Sequence, residues 1–190
     1  VYYAWLDESG SNGALDPGTY ILSAAICTAE SIDVTRAAMR ALLLGKGHRK
    51  LHWREEDEHR QQLIAATIAS LDVEHLVVVR SDASTTDRPE RQRRLCVERM
   101  LPELVALGVR HAYFESRGRK DDRRDHDTLD YLRRKHHVRG PLHIDHIGGP
   151  ADPMLWIPDA CCGAITQMRC GDDRCYQTLS SSVTLIDIAL

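Results

Sequence analysis

At 190 residues, with 43% apolar and 28% charged side chains, the chain is long enough to bury a real core as a single domain, and its composition excludes a disordered one. A formal net charge of −3 excludes a uniformly basic nucleic-acid binder, although 21 of its 25 basic residues are arginine and these cluster. No apolar run reaches the roughly 20 residues that span a bilayer, and no signal-peptide pattern opens the chain.

Residues 2–7 and 19–28 read as two strands, and the Gly-, Asn-, Asp- and Pro-rich loop between them predicts a hairpin. Ser31 is placed to cap a helix running to Leu44, which Gly45 and Gly47 end. Lys50-Leu51-His52-Trp53 is short and extended, and a helical pattern then covers Glu55 to Ser70. The run Leu76-Val77-Val78-Val79 predicts a strand over 73–80, and the polar stretch 81–87 predicts a loop. Pro89 opens a helix to Leu107, with Pro102 inside it, and Gly108 stops it. A strand over 110–116 ends in Glu115; helical character follows from Arg124 to His137, then a strand over 142–147 and a helix from Pro158 to Arg169. Residues 183–190 are apolar enough to pack on something or to pair between two subunits. Strands alternating with helices after an opening hairpin predict an α/β fold with a mixed sheet.

Three acids stand out against their surroundings. Asp7 and Glu8 lie where the first strand runs into the turn residues Ser9 to Gly13, so Asp7 is either a metal ligand or an acceptor for that turn. Glu115 ends a strand whose buried part is Val109, Tyr113 and Phe114; its alternative is a partner for Arg117 or for a helix N-terminus. Asp159 has apolar or very small neighbours, Cys162 and Gly163 among them, and its alternative is complementing the dipole of a helix that Pro158 begins. If the strands ending in Asp7 and Glu115 are parallel neighbours, their carboxylates meet at the sheet edge where α/β folds carry their sites.

Carboxylates brought together repel unless a cation lies between them, and hard oxygen donors select Mg²⁺ or Mn²⁺. Such ions activate water and hold a leaving phosphate oxygen. The basic stretch Arg117, Arg119, Lys120, Arg123 and Arg124 starts directly after Glu115, where it would hold the phosphates of DNA or RNA. This combination is a nuclease pattern. His52 and His126 are candidates for proton transfer, although His52 between Leu51 and Trp53 also reads as a packed side chain. Asp127 is a candidate extra acid that also fits a solvated mixed-charge helix face. Six cysteines lack zinc-finger spacing, and reduced thiols in a cytoplasmic protein are expected; a zinc-stabilised C-terminal segment from Cys161 to Cys175 is a weaker alternative.

The motifs Asp7-Glu8-Ser9-Gly10, Leu51-His52-Trp53, Glu115-Ser116-Arg117 and Leu155-Trp156-Ile157-Pro158-Asp159-Ala160, in this order, resemble domain-of-unknown-function family 3800 over residues 2 to 170. The resemblance implies a ribonuclease-H-like fold, with a mixed five-stranded sheet flanked by helices. Asp7 would be its first-strand acid, Glu115 its fourth-strand acid and Asp159 the acid of its last helix. That pattern also has a glutamate on the helix before the fourth strand, for which Glu98 and Glu103 are candidates. Adjacent Asp7 and Glu8 point to opposite strand faces and depart from the Asp-x-Glu spacing of proofreading exonucleases. The expectation is therefore a metal-dependent nuclease with Glu8 in an auxiliary role. The alternative is a non-catalytic nuclease-like module that binds nucleic acid or a protein.

Overall fold

The computed structural model describes residues 1–45, 47–81, 83–84 and 86–188. Its strands are β1 (Tyr2–Ser9), β2 (Tyr20–Thr28), β3 (Glu74–Arg80), β4 (Val109–Glu115), β5 (His143–Ile147) and β6 (Val183–Asp187). Its α-helices are α1 (Ala29–Ala41), α2 (Glu58–Ala69), α3 (Pro89–Ala106), α4 (Arg119–Arg134), α5 (Trp156–Arg169) and α6 (Arg174–Leu179). The sheet order is β5-β4-β1-β2-β3-β6. β2 is antiparallel to both β1 and β3, whereas β1–β4, β4–β5 and β3–β6 are parallel.

Strand alternation sorts the core into two layers. Ala4, Leu6, Leu22, Ala24 and Phe114 face Cys96, Met100 and Leu104 of α3 and Leu129 and Leu132 of α4. Trp5, Ala25 and Cys27 face Met39 of α1, Ile64 and Ile68 of α2, and Trp156, Ile157 and Ala160 of α5. The odd-numbered residues of β1 thus look toward α5 and the even-numbered ones toward α3, which gives Asp7 and Glu8 opposite destinations.

The sheet has six strands, not five. The additional strand, β6, is only five residues long, with three of them exposed and two half-buried, so it lacks the continuous apolar run of a central strand. Its residues 183–187 pair with β3 of the same chain, and the expected apolar segment's last two residues, 189 and 190, lie outside the described residues. Residues 82 and 85 of the expected 81–87 loop lie outside them as well. α1 begins at Ala29, directly from β2, rather than after Ser31, whose hydroxyl instead donates to Asp72 at 2.9 Å. α2 begins at Glu58, where Asp57 accepts the Arg60 N–H at 2.9 Å as its cap. α4 starts at Arg119, five residues before the expected Arg124, after Gly118 turns the chain at φ 100°. α5 starts at Trp156, ahead of Pro158, which is tolerated in a first turn because no N–H is required of it there.

Candidate active site

β1 and β4 run parallel with Leu6 beside Phe114, so the next residues along, Asp7 and Glu115, come side by side at the carboxyl end of the sheet. Asp159 approaches from above in the first turn of α5. The start of that helix is pinned by Asp152, which accepts from Trp5 Nε1 at 3.1 Å, from Arg36 Nη2 at 2.7 Å and from the Met154 N–H at 3.1 Å. Gly163, one turn further, lets the Trp53 indole lie against the helix backbone, where any side chain would overlap the ring. Trp53 in turn presents its backbone N–H to Asp159 Oδ2 at 3.1 Å.

The three carboxyl groups feel one another. Burial, reinforced by the Glu115 and Asp159 charges, pushes the Asp7 carboxyl up to about 8. The only hydrogen bond found for its carboxyl group among the described residues is the Glu8 N–H, 2.8 Å from Oδ1. Asp159 is also raised by burial and by Glu115, against the pull of the Trp53 N–H, Lys50 and His52. Glu115 is held by Lys50, whose Nζ lies 2.6 and 2.8 Å from its two oxygens. The backbone at Gly149 leaves room for this pair, since a Cβ there would overlap Glu115 Oε1 and stand 2.6 Å from Lys50 Nζ.

Each acid thus meets its own donor: an N–H at Asp7, an ammonium at Glu115 and an N–H at Asp159. Among the described residues, no group of three or more His, Cys, Asp or Glu side chains stands in metal-ligand geometry. The donor chemistry nevertheless fits a hard divalent cation, since Asp7 is a buried carboxyl group with two acids beside it and no cation bonded to it.

Glu8 goes to the other face of the sheet. Its Oε1 accepts from Arg93 Nε at 3.1 Å and forms an ion pair with Arg117, whose Nε lies 3.0 Å away. Arg93 also pairs with Asp125, which His146 Nε2 meets at 2.8 Å. Burial alone would raise Asp125, but its bonds to His146 and Arg93 bring it below the usual carboxylate range. Asp125 went unnoticed in a stretch that reads as solvated charge. Its i+3, i+4 and i+7 neighbours Thr128, Leu129 and Leu132 are buried with it, and that periodicity was its signal.

The basic stretch is less available than its composition suggests. Arg117 lies 3.4 Å from Glu90 besides its bond to Glu8. Arg124 pairs with Asp121 at 2.6 Å and lies 3.4 Å from Glu90. Lys120 and Arg123 are exposed on α4. Asp127 is exposed as well, and His126 is exposed with its ring tilted against His146 at 5.3 Å. Neither candidate for a fourth acid joins the cluster: Glu98 pairs with Arg94 at 2.7 Å and Glu103 with Arg99 at 2.9 Å, each within α3. His52 is exposed rather than packed, because the short 3₁₀ turn that follows it (Trp53–Glu55) buries Trp53 instead. Lys50 is the site residue that sequence reasoning passed over. Its one signal was its place directly before Leu51-His52-Trp53.

Solved structures share this architecture. The chain is similar to the structure of the PCNA:RNase HII complex from Archaeoglobus fulgidus, with 12% identity over 95% of this chain and 88% of that one and a TM-score of 0.58. It is also similar to ribonuclease H2 from Pyrococcus horikoshii OT3, with 11% identity over 95% of this chain and 76% of that one and a TM-score of 0.51. No family model and no curated protein matches the sequence. The chain has a ribonuclease-H-like fold: a mixed sheet, extended here by β6, flanked by helices on both faces.

Proposed function

We propose that this protein is a divalent-metal-dependent nuclease that hydrolyses phosphodiester bonds in DNA or RNA. The observation that carries the reading is the Asp7 carboxyl group, buried at the carboxyl end of the sheet under the field of Glu115 and Asp159. Such a group is costly to ionise in the protein alone and is relieved when a cation is shared among the three acids. Asp7, Glu115 and Asp159 are the residues that would hold Mg²⁺ or Mn²⁺. The bound ion would supply a water of lowered pKa and charge for the leaving oxygen. Lys50 holds Glu115, and the Trp53 N–H holds Asp159, so two of the three acids are oriented in advance. Glu8 does not face this group but fixes Arg93 and Arg117 behind it. Lys120 and Arg123 remain exposed for backbone phosphates. The ribonuclease-H-like fold agrees with this reading, as does the resemblance of the four motifs to domain-of-unknown-function family 3800.

The experiment is cleavage of end-labelled single-stranded DNA, single-stranded RNA and an RNA–DNA hybrid in Mg²⁺, Mn²⁺ or a chelator. Activity that needs the cation and is lost in Asp7→Asn supports the reading. Folded protein that cleaves none of them in either metal overturns it.

A second reading, a nuclease-like module that binds without cleaving, draws on the same donors: Lys50 on Glu115 and the Trp53 N–H on Asp159 satisfy two acids without a metal. On that reading Asp7→Asn leaves nucleic-acid binding unchanged, and calorimetry detects no Mn²⁺ uptake.

A further inference from the structure

Two adjoining cavities open beside Asp159. One of about 240 Å³ is lined by Asp159, Glu8, Ser9 and Arg54, among others. The other, of about 420 Å³, is lined by Asn12, Gln61, Thr166 and Gln167, and Trp53, Arg54 and Gly163 belong to both. The Arg54 guanidinium stands at the junction. Unlike Arg117 and Arg124, it is bonded to neutral oxygens, Ser9 Oγ at 3.2 Å and Ser11 O at 3.4 Å. Among the described residues no carboxylate pairs with it, and an exposed guanidinium so placed keeps its charge and its paired donors for an anion.

Unmet hydrogen-bonding capacity lies behind the wall of the larger cavity: Trp53 is only 2% exposed, yet among the described residues neither its Nε1 nor Thr166 Oγ1, both buried, has a partner. Buried polar atoms without partners are uncommon and call for a specific explanation. Gln167 Nε2 donates to Gln61 Oε1 at 2.7 Å and Gln61 Nε2 to Trp53 O at 2.9 Å, an arrangement that fixes both amides and leaves Gln167 Oε1, on a residue lining the cavity, without a donor among the described residues. A phosphate site beside a set of mixed donors and acceptors suits a nucleotide better than an anionic or apolar ligand alone.

We infer that these joined cavities bind the nucleotide adjacent to the phosphodiester at the acid cluster, with Arg54 taking its phosphate and Gln167 taking a polar atom of its sugar or base. The inference rests on the nuclease reading for the position of the substrate, and its test is separate from cleavage.

Fluorescein-labelled DNA and RNA oligonucleotides are titrated by anisotropy against protein carrying Asp7→Asn, in Mg²⁺, between 50 and 200 mM salt. Adding Arg54→Gln is expected to weaken binding about tenfold and to flatten the dependence of log K on log salt by about one contact. Arg54→Lys retains the slope. Gln167→Ala weakens binding about threefold with the slope unchanged; a loss confined to the RNA arm assigns the contact to the sugar, and a loss in both arms to the base. Equal affinity and slope for Arg54→Gln and its parent, at equal unfolding midpoints, overturn the subsite, as does absence of binding to either strand. A wild-type protein that never cleaves while the Arg54 effect persists removes the nuclease reading and leaves the subsite standing. Cleavage with no Arg54 effect does the reverse.

Discussion

Lys50 Nζ sits 2.6 and 2.8 Å from the two carboxylate oxygens of Glu115, on the side of the sheet where Asp7 and Asp159 also lie. The ammonium therefore supplies positive charge where the fold gathers acids, and a divalent cation would compete with it for the same carboxylate. Lys50→Gln removes that competitor. It is expected to tighten Mn²⁺ binding by about tenfold or more, measured by isothermal titration calorimetry. In chelator the same variant is expected to lose about 2 kcal/mol of stability, because Glu115 is left partly buried without a cation. Weaker Mn²⁺ binding in Lys50→Gln would show that the lysine assists the metal rather than displacing it.

The raised Asp7 carboxyl sets a pH dependence with a definite sign. Its pKa goes from the ordinary 3.8 in the unfolded chain to about 8 in the folded protein, so the folded state holds the proton through that window. Its contribution is fully present below the ordinary value and is lost as pH rises toward 8. In chelator, urea midpoints should fall as the pH is raised from the ordinary histidine value of 6.5, above which His75 no longer contributes a slope, to 8. Asp7→Asn should flatten this decline and be about 2 kcal/mol more stable than wild type at pH 8, while abolishing cleavage. Saturating Mg²⁺ should reverse the wild-type slope by stabilising the ionised form. A wild-type profile in chelator that rises over this range would contradict the burial of Asp7.

What could be read before the structure, and what could not, divides along physical lines. Continuous apolar runs place β2 and β3, because a strand covered on both faces has little freedom to be anything else, and alternation of buried and half-exposed residues places β4. Asp7, Glu115 and Asp159 were visible because each conflicts with the apolar residues around it. Lys50 and Arg54 carry no such conflict: both lie at or near the irregular stretch after α1, where a basic residue is ordinary and no periodicity marks a face. The arginine-rich stretch misled in the opposite direction. Reading the basic residues from Arg117 to Arg124 along the chain omits Glu90, which arrives from α3 and lies 3.4 Å from both Arg117 and Arg124. β6 was not foreseen as a strand because a five-residue edge element has too few buried positions to declare a period.

His75 offers a test remote from the acids. It is 1% exposed on β3 between Ala25 of β2 and Val183 of β6, and neither ring nitrogen has a partner among the described residues. Burial lowers its pKa from 6.5 to about 4, so the unfolded chain binds the proton first as the solution is acidified. Its stabilising contribution is present above pH 6.5 and is lost as pH falls toward 4, by about 3 kcal/mol. His75→Leu should remove this acid-side decline and raise the urea midpoint at neutral pH, since two unpaired nitrogens are replaced by carbon. An acid limb unchanged in His75→Leu would place its origin elsewhere.

Two glycines near the site separate damage to the fold from damage to the chemistry. At Gly163 a methyl group would overlap the Trp53 ring, which is 2% exposed and would have to leave its packed position. Gly163→Ala is therefore expected to destabilise the protein by about 3 kcal/mol, despite the better helix propensity of alanine, and to move the Trp53 N–H away from Asp159. At Gly149 the methyl group would meet only the far ends of Glu115 and Lys50, both of which can swing aside. Gly149→Ala should keep the wild-type unfolding midpoint within about 0.5 kcal/mol, as substitutions that strain no packed group do. It should also lower cation-dependent cleavage about tenfold, because Glu115 loses the position Lys50 gives it. Thermal unfolding and cleavage assays on the two variants decide the matter: a Gly149→Ala protein that is unstable, or fully active, would mean that the Lys50–Glu115 pair does not set the geometry of the acid cluster.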